Sequence, residues 1–183
     1  MTDVTRVLVE EHRLILRMID LLEEQTRQVE EGRSRNWDFF LEAVDFIRNF
    51  ADRFHHAKEE DVLFRELVKN GMPEKNSPVA AMLMAHDQGR AHVAALETAA
   101  QKARQGKPGQ VPIIAENAHG YAALLRDHIA KEDGILYPLS ERVLPEEVRP
   151  GMVEAYRRAA DAAPGVEEHY RQIVERLEAR QAA

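Results

Sequence analysis

A chain of 183 residues is long enough for one domain with a substantial core, or for one domain carrying an appendage. The composition is 44% apolar and only 6% aromatic, and Ala, Leu, Glu and Arg predominate, which favours helix over sheet. A net charge of −7 argues against a nucleic-acid or anionic-membrane partner, and the absence of cysteine excludes disulfides, thiolate ligands, cysteine-bound iron–sulfur clusters and thiol catalysis.

The opening residues MTDVTRVLVEEHR are charged, so no signal peptide is expected, no apolar run approaches transmembrane length, and the cytoplasm is the default compartment. Asp3 or Thr5 is placed to cap a first helix, whose stripe Leu8, His12, Ile15, Ile19, Leu22 ends near Gly32. Asn36 opens a second helix through Phe46, Phe50, Phe54 and Leu63 to a stop at Asn70-Gly71. Ser77-Pro78 opens a third, running to about Arg104 and stopping at Gly106. A fourth runs from near Val111 to about Tyr137, where Pro138 kinks or ends it. Beyond Leu144-Pro145 come one or two shorter helices, broken at Pro164-Gly165. The expected architecture is all-α: an up-down four-helix bundle over 1–143 with a C-terminal helical extension over 144–183.

Within these helices one pattern occurs twice, His55-x-x-x-Glu59 in RFHHAKEEDVLF and His128-x-x-x-Glu132 in RDHIAKEDGILY. An imidazole and a carboxylate four residues apart share one helix face, the spacing with which a helix grips a metal from the side. Short connections make neighbouring helices antiparallel. His12 lies about 19 residues before its helix ends, His55 about 19 after its helix begins, His86 about 19 before its end and His128 about 18 after its start; at 1.5 Å per residue these agree to within roughly one turn. Four histidines from four helices therefore meet in one layer. His12 precedes His55 by 43 residues and His86 precedes His128 by 42, so the chain reads as two helix hairpins of one design.

Four imidazoles and two carboxylates suit iron, and less specifically manganese, zinc or copper. Six ligands exceed one closed zinc site and match two metals in a helical bundle, with glutamates bridging and imidazoles capping. Alignment of the two motifs sets His56 against Ile129, so His55 is taken as the ligand and His56 as a core or supporting histidine. Glu60 and Asp133, about 100° round the helix from the motif glutamates, are read as solvated charges or as acceptors behind a ligand. Tyr121, two turns before His128, is a packing residue or a gate near the site. His92, His119 and His169 are read as surface or packing residues, Trp37 as a packing cap, and Phe39, Phe46, Phe50 and Phe54 as core.

The order His, HxxxE, His, HxxxE, with the flanks HHAKEEDVLF and HIAKEDGILYP, resembles the hemerythrin-like (HHE cation-binding) family over roughly residues 4–140. The resemblance implies a four-helix bundle with a non-heme di-iron centre: two iron ions bridged by oxo or hydroxo, held by His12, His55, Glu59, His86, His128 and Glu132, with Glu59 and Glu132 bridging. Manganese or zinc ranks behind iron. Oxygen-carrying hemerythrins have a further His one turn after the third-helix His, where this chain has Arg90, so the resemblance turns from oxygen storage toward iron-centre repair proteins and peroxide-decomposing bacterial relatives. The expected partner is O2, NO or peroxide, with catalase-like turnover as the enzymatic form. The alternatives are a redox- or gas-responsive sensor module and an iron-handling protein without turnover. The amphipathic tail is expected to lie on the bundle or to pair with a second copy in a homodimer.

Overall fold

Backbone groups at the helix ends find the partners that the punctuation residues offer. In the computed structural model, which describes residues 3–181, α1 spans Arg6–Glu30. The side chain that caps it is Asp3: its carboxylate accepts from the backbone N–H of Thr5 at 3.0 Å and of Arg6 at 2.9 Å, while the Thr5 side chain makes no cap bond. Gly32, at φ 71°, closes the helix with the Arg33 N–H bonded back to the Gln28 carbonyl at 2.8 Å. Asn36 Oδ1 accepts from the Phe39 N–H at the start of α2 (residues 37–69), and Ser77 Oγ from the Ala80 N–H at the start of α3 (Pro78–Arg104), each at 3.2 Å.

Helix α4 (residues 111–143) resolves one of the two alternatives at Pro138. It neither ends nor breaks at Pro138 but continues to Val143. The five residues Glu132–Leu136 wind as π-helix just before the proline, and this wider turn absorbs the hydrogen bond that Pro138 cannot donate. Helix α2 is also widened, over Ile47–His56 and again over Glu59–Phe64, where an unbroken α-helix was expected. Two further helices follow, α5 (Arg149–Asp161) and α6 (Val166–Gln181). No strand occurs among the described residues, and no described helix is long and apolar enough to cross a membrane.

The core shows how the bundle is threaded. One apolar cluster takes Leu14–Val29 from α1, Phe39–Phe54 from α2, Val93–Ala103 from α3 and Ile114–Ile129 from α4. A second takes Leu8, Leu63, Phe64, Leu67, Val79, Met82, Leu136 and Tyr137. Along α1 and α3 the second cluster comes first; along α2 and α4 it comes last. The four helices therefore alternate in direction, with α4 packed on both α3 and α1. Between the clusters, on every helix, lie the motif residues.

The tail lies on the bundle. Tyr170, Val174 and Leu177 of α6 enter the first cluster, and Met152 and Tyr156 of α5 enter the second. Tyr170 Oη donates to Asp45 at 2.9 Å, and Arg17 pairs with Glu178 through two bonds of 2.8 Å. Burial, more than the surface ion pairs, holds α6 in place. Leu177→Ala is expected to lower unfolding free energy by about 3 kcal/mol in urea titration, whereas Arg17→Ala should cost less than about 1 kcal/mol.

Candidate metal centre

The structure brings all six motif residues into the layer between the two apolar clusters. His12, His55, His86 and His128 are buried, and Glu59 and Glu132 have no exposed surface. The histidines arrive at one level because each stands about the same number of residues from the turns at one end of the bundle, before the end of α1 and α3 and after the start of α2 and α4.

Their inner nitrogens converge. His86 Nε2 and His128 Nε2 stand 3.1 Å apart. Glu59 presents Oε1 to His55 Nε2 at 3.7 Å and Oε2 to His86 Nε2 at 3.4 Å. Glu132 Oε2 lies 3.4 Å from His12 Nε2 and 3.1 Å from His128 Nε2. Each glutamate thus stands between an imidazole of the first hairpin and one of the second. The donor atoms form two groups, His12, His55, Glu59 and Glu132 in one and His56, Glu59, His86 and His128 in the other, with the atoms of each group within 4.8 Å of one another. Glu59 belongs to both.

A ring of carboxylates turns the imidazoles inward from behind. His12 Nδ1 bonds Asp133 at 2.8 Å, His55 Nδ1 bonds Glu11 at 2.9 Å and His86 Nδ1 bonds Glu60 at 2.7 Å. A carboxylate accepts, so Nδ1 carries the proton and Nε2 faces the centre, the arrangement typical of metal-binding histidines. Glu60 and Asp133 are therefore the supporting acceptors that one sequence reading allowed. Glu11 is held in turn by the buried Lys58, whose ammonium sits 3.4 Å above the Phe54 ring.

Three site features escaped sequence reasoning. The first is His56. The alignment with Ile129 set it aside, yet its ring stacks on His86 at 3.8 Å between centroids and reaches the second group. The π-helix explains this: more residues per turn separate neighbours by less than the α-helical 100°, so His55 and His56 both face inward. The second is Tyr137, whose hydroxyl donates to Glu59 and whose ring stacks on His12, 9° from parallel. Its repeat partner Phe64 stands against His86 in the same way, without the hydroxyl. The third is the Glu11–Lys58 pair. Elsewhere the sequence reading holds: His92 bonds Asn117, His119 bonds Glu30 at the surface, and Trp37 packs partly buried on the core. Arg90 reaches no motif glutamate; it binds Asp52, Asp87 and Glu60.

Protons balance the layer when it holds no cation. Burial pulls His12 and His86 down, but Asp133 and Glu132 around the one, and Glu59 and Glu60 around the other, outweigh it and raise both to about 9. Burial holds His55 and His56 neutral, down to about 3. Burial also works against charge on Glu59, and the imidazoles around it, His55 and His86 foremost, more than reverse that.

Buried side-chain atoms without a well-formed hydrogen bond concentrate here: His55 Nε2, His56 Nδ1, Glu59 Oε2, His128 Nδ1 and both oxygens of Glu132. Native proteins rarely leave such atoms unpaired, and the inward nitrogen and carboxylate oxygens are donors that a cation would satisfy. Sequence comparison decides the relationship: the hemerythrin HHE cation binding domain matches residues 3–140. The chain belongs to that family. No curated protein and no solved structure matches it. The hemerythrin HHE domain ends within α4, so α5 and α6 are additions packed on it.

Because His12 and His86 of this HHE domain hold protons at neutral pH, a metal entering the layer must displace them. Titration of the metal-free protein with Zn(II) at pH 7.5 in weak buffer is expected to release about two protons per chain. Affinity should rise with pH and level off above about 9. Uptake without proton release would contradict this charge balance.

Proposed function

We propose that this chain is a non-heme di-iron protein that binds or reacts with O2, NO or peroxide. The observation that carries the reading is the pair of buried donor groups sharing Glu59 in one layer. A single structural ion needs about four ligands, and this layer offers seven side chains in two overlapping sets. All are imidazole or carboxylate, a donor set that suits iron.

In this reading His12 and His55 hold one ion, His86 and His128 the other, and Glu59 and Glu132 span both; His56 adds an imidazole to the second position. A bound iron pair would supply a change of redox state and an exchangeable coordination position. The protein supplies the rest. Asp133, Glu11 and Glu60 fix the imidazoles, Tyr137 orients Glu59 by a hydrogen bond, and the apolar clusters above and below keep bulk water from the layer.

The test is metal content followed by reactivity. Purified protein is expected to bind two iron ions per chain, and the Fe(II)-loaded form to change its visible absorption on adding peroxide, with oxygen evolution if turnover is catalase-like. One tightly held zinc, or iron inert to peroxide, O2 and NO, would sink the reading. Glu59→Ala should lose both ions because both groups use it. Glu60→Ala should keep two ions at saturation with about 10- to 100-fold weaker affinity, and equal loss in the two variants would contradict the assignment.

A further inference from the structure

Beside the second donor group lies a cavity of about 80 Å³ whose walls include His56, His86 and His128. A single water needs roughly 10–15 Å³ measured this way, so the space takes about five to eight water-sized groups at most, and a ligand of two or three heavy atoms fits in it. It is far below the 300–1,000 Å³ or so of pockets for organic ligands. Apolar side chains, among them Val93 and Leu125, line much of the remainder. Two wall residues do not follow from packing alone. Gly89 sits in the middle of α3, where glycine costs about 1 kcal/mol against alanine, and a Cβ built there would meet the Tyr121 ring at 3.5 Å. Tyr121 is buried, and its hydroxyl has no hydrogen-bond partner. Tyrosine hydroxyls that are buried ordinarily find one. At the edge of the cavity Arg90 is tied to Asp52 at 2.7 Å and to Glu60 at 2.8 Å.

The asymmetry of the layer gives the cavity its meaning. An aromatic ring stands against one histidine of each group, Tyr137 on His12 and Phe64 on His86, but only Tyr137 has a hydroxyl, and it is committed to Glu59. At the second group His56, His86 and His128 border the cavity, and Tyr121, which also lines it, has an uncommitted hydroxyl. We propose that a small ligand of two or three heavy atoms with an acceptor end, of the peroxide or azide class, binds in this cavity against the second group, with Tyr121 Oη donating a hydrogen bond to it. Burial keeps the Tyr121 phenol protonated, as a donor must be. Arg90, held by its carboxylates, forms part of the wall. This assignment rests on the di-iron reading above and adds which of the two positions meets the ligand and through which side chain.

The probe is azide, added to iron-loaded, oxidised full-length protein and followed by difference absorption, with iron content measured for every variant. Wild type is expected to bind azide. Tyr121→Phe should weaken that binding about tenfold, Gly89→Leu should abolish it by filling the cavity, and both should retain two irons per chain. Tyr156→Phe removes the other buried unpartnered phenol, away from the cavity, and should leave azide affinity unchanged. Iron-loaded wild type that ignores azide would overturn the pocket, as would equal affinity in wild type, Tyr121→Phe and Gly89→Leu. Equal weakening by Tyr121→Phe and Tyr156→Phe would also overturn it. Failure of wild type to take up iron at all would overturn the di-iron reading instead, and the pocket with it.

Discussion

Two carboxylates with no exposed surface, Glu59 and Glu132, set the terms for everything around them. Desolvating an ionised carboxylate costs several kcal/mol, and only close opposite charge with well-aimed donors offsets it. The layer is built to that demand. Imidazoles from all four helices point their inner nitrogens at the two groups, and in the absence of a cation His12 and His86 carry the compensating protons. Each of those histidines needs a partner behind it, which brings in Asp133 and Glu60. His55 brings in Glu11, and Glu11 brings in Lys58. Each partner removed from a buried polar network of this size weakens it, because the group it braced is left less well compensated. The apolar clusters on either side then serve as walls that keep the network dry and the helices in register.

Most of this layer was legible before any coordinates. Helix ends were marked by residues whose chemistry has one use there, such as Ser77-Pro78 and Gly32, and a fixed rise per residue converted those ends into levels. The prediction that Glu59→Ala and Glu60→Ala differ comes directly from that register. What stayed hidden depended on tertiary packing. Phe46, Phe50 and Phe54 recur every four residues, a spacing that a widened turn satisfies as well as an α-helix does, so the π segments left no mark in the pattern. Without them His56 had no route to the interior. Pro138 was legible as a disturbance, though not as one that the preceding turn absorbs.

Internal repetition was the best guide to what the two halves share. It correctly paired Glu60 with Asp133, each of which braces a histidine on a neighbouring helix. It was silent where the halves differ. Ile129 occupies the place of His56 and belongs to the apolar core; Phe64 occupies the place of Tyr137 and lacks its hydroxyl. A repeat reports what both halves need, here the grip. Departures from the repeat report what only one half does, and the second histidine of HHAKEE was such a signal. So was Gly89, a helix-interior glycine beside the Arg90 that stands where oxygen-carrying relatives have another imidazole.

These departures change how the centre is to be understood. A strictly two-fold arrangement would present two equivalent positions, and nothing would direct a ligand to one of them. Here the hydroxyl of Tyr137 is spent on Glu59, while Phe64, against His86 on the other side, has none. The opposite side gains an imidazole, a gap left by glycine and a phenol without a partner. None of these features strengthens the bundle: the glycine weakens α3, and the unpaired hydroxyl forfeits a hydrogen bond. Residues that lower stability on one side only, and together shape a space of a few atoms beside the donor groups, are more economically explained by a ligand than by folding.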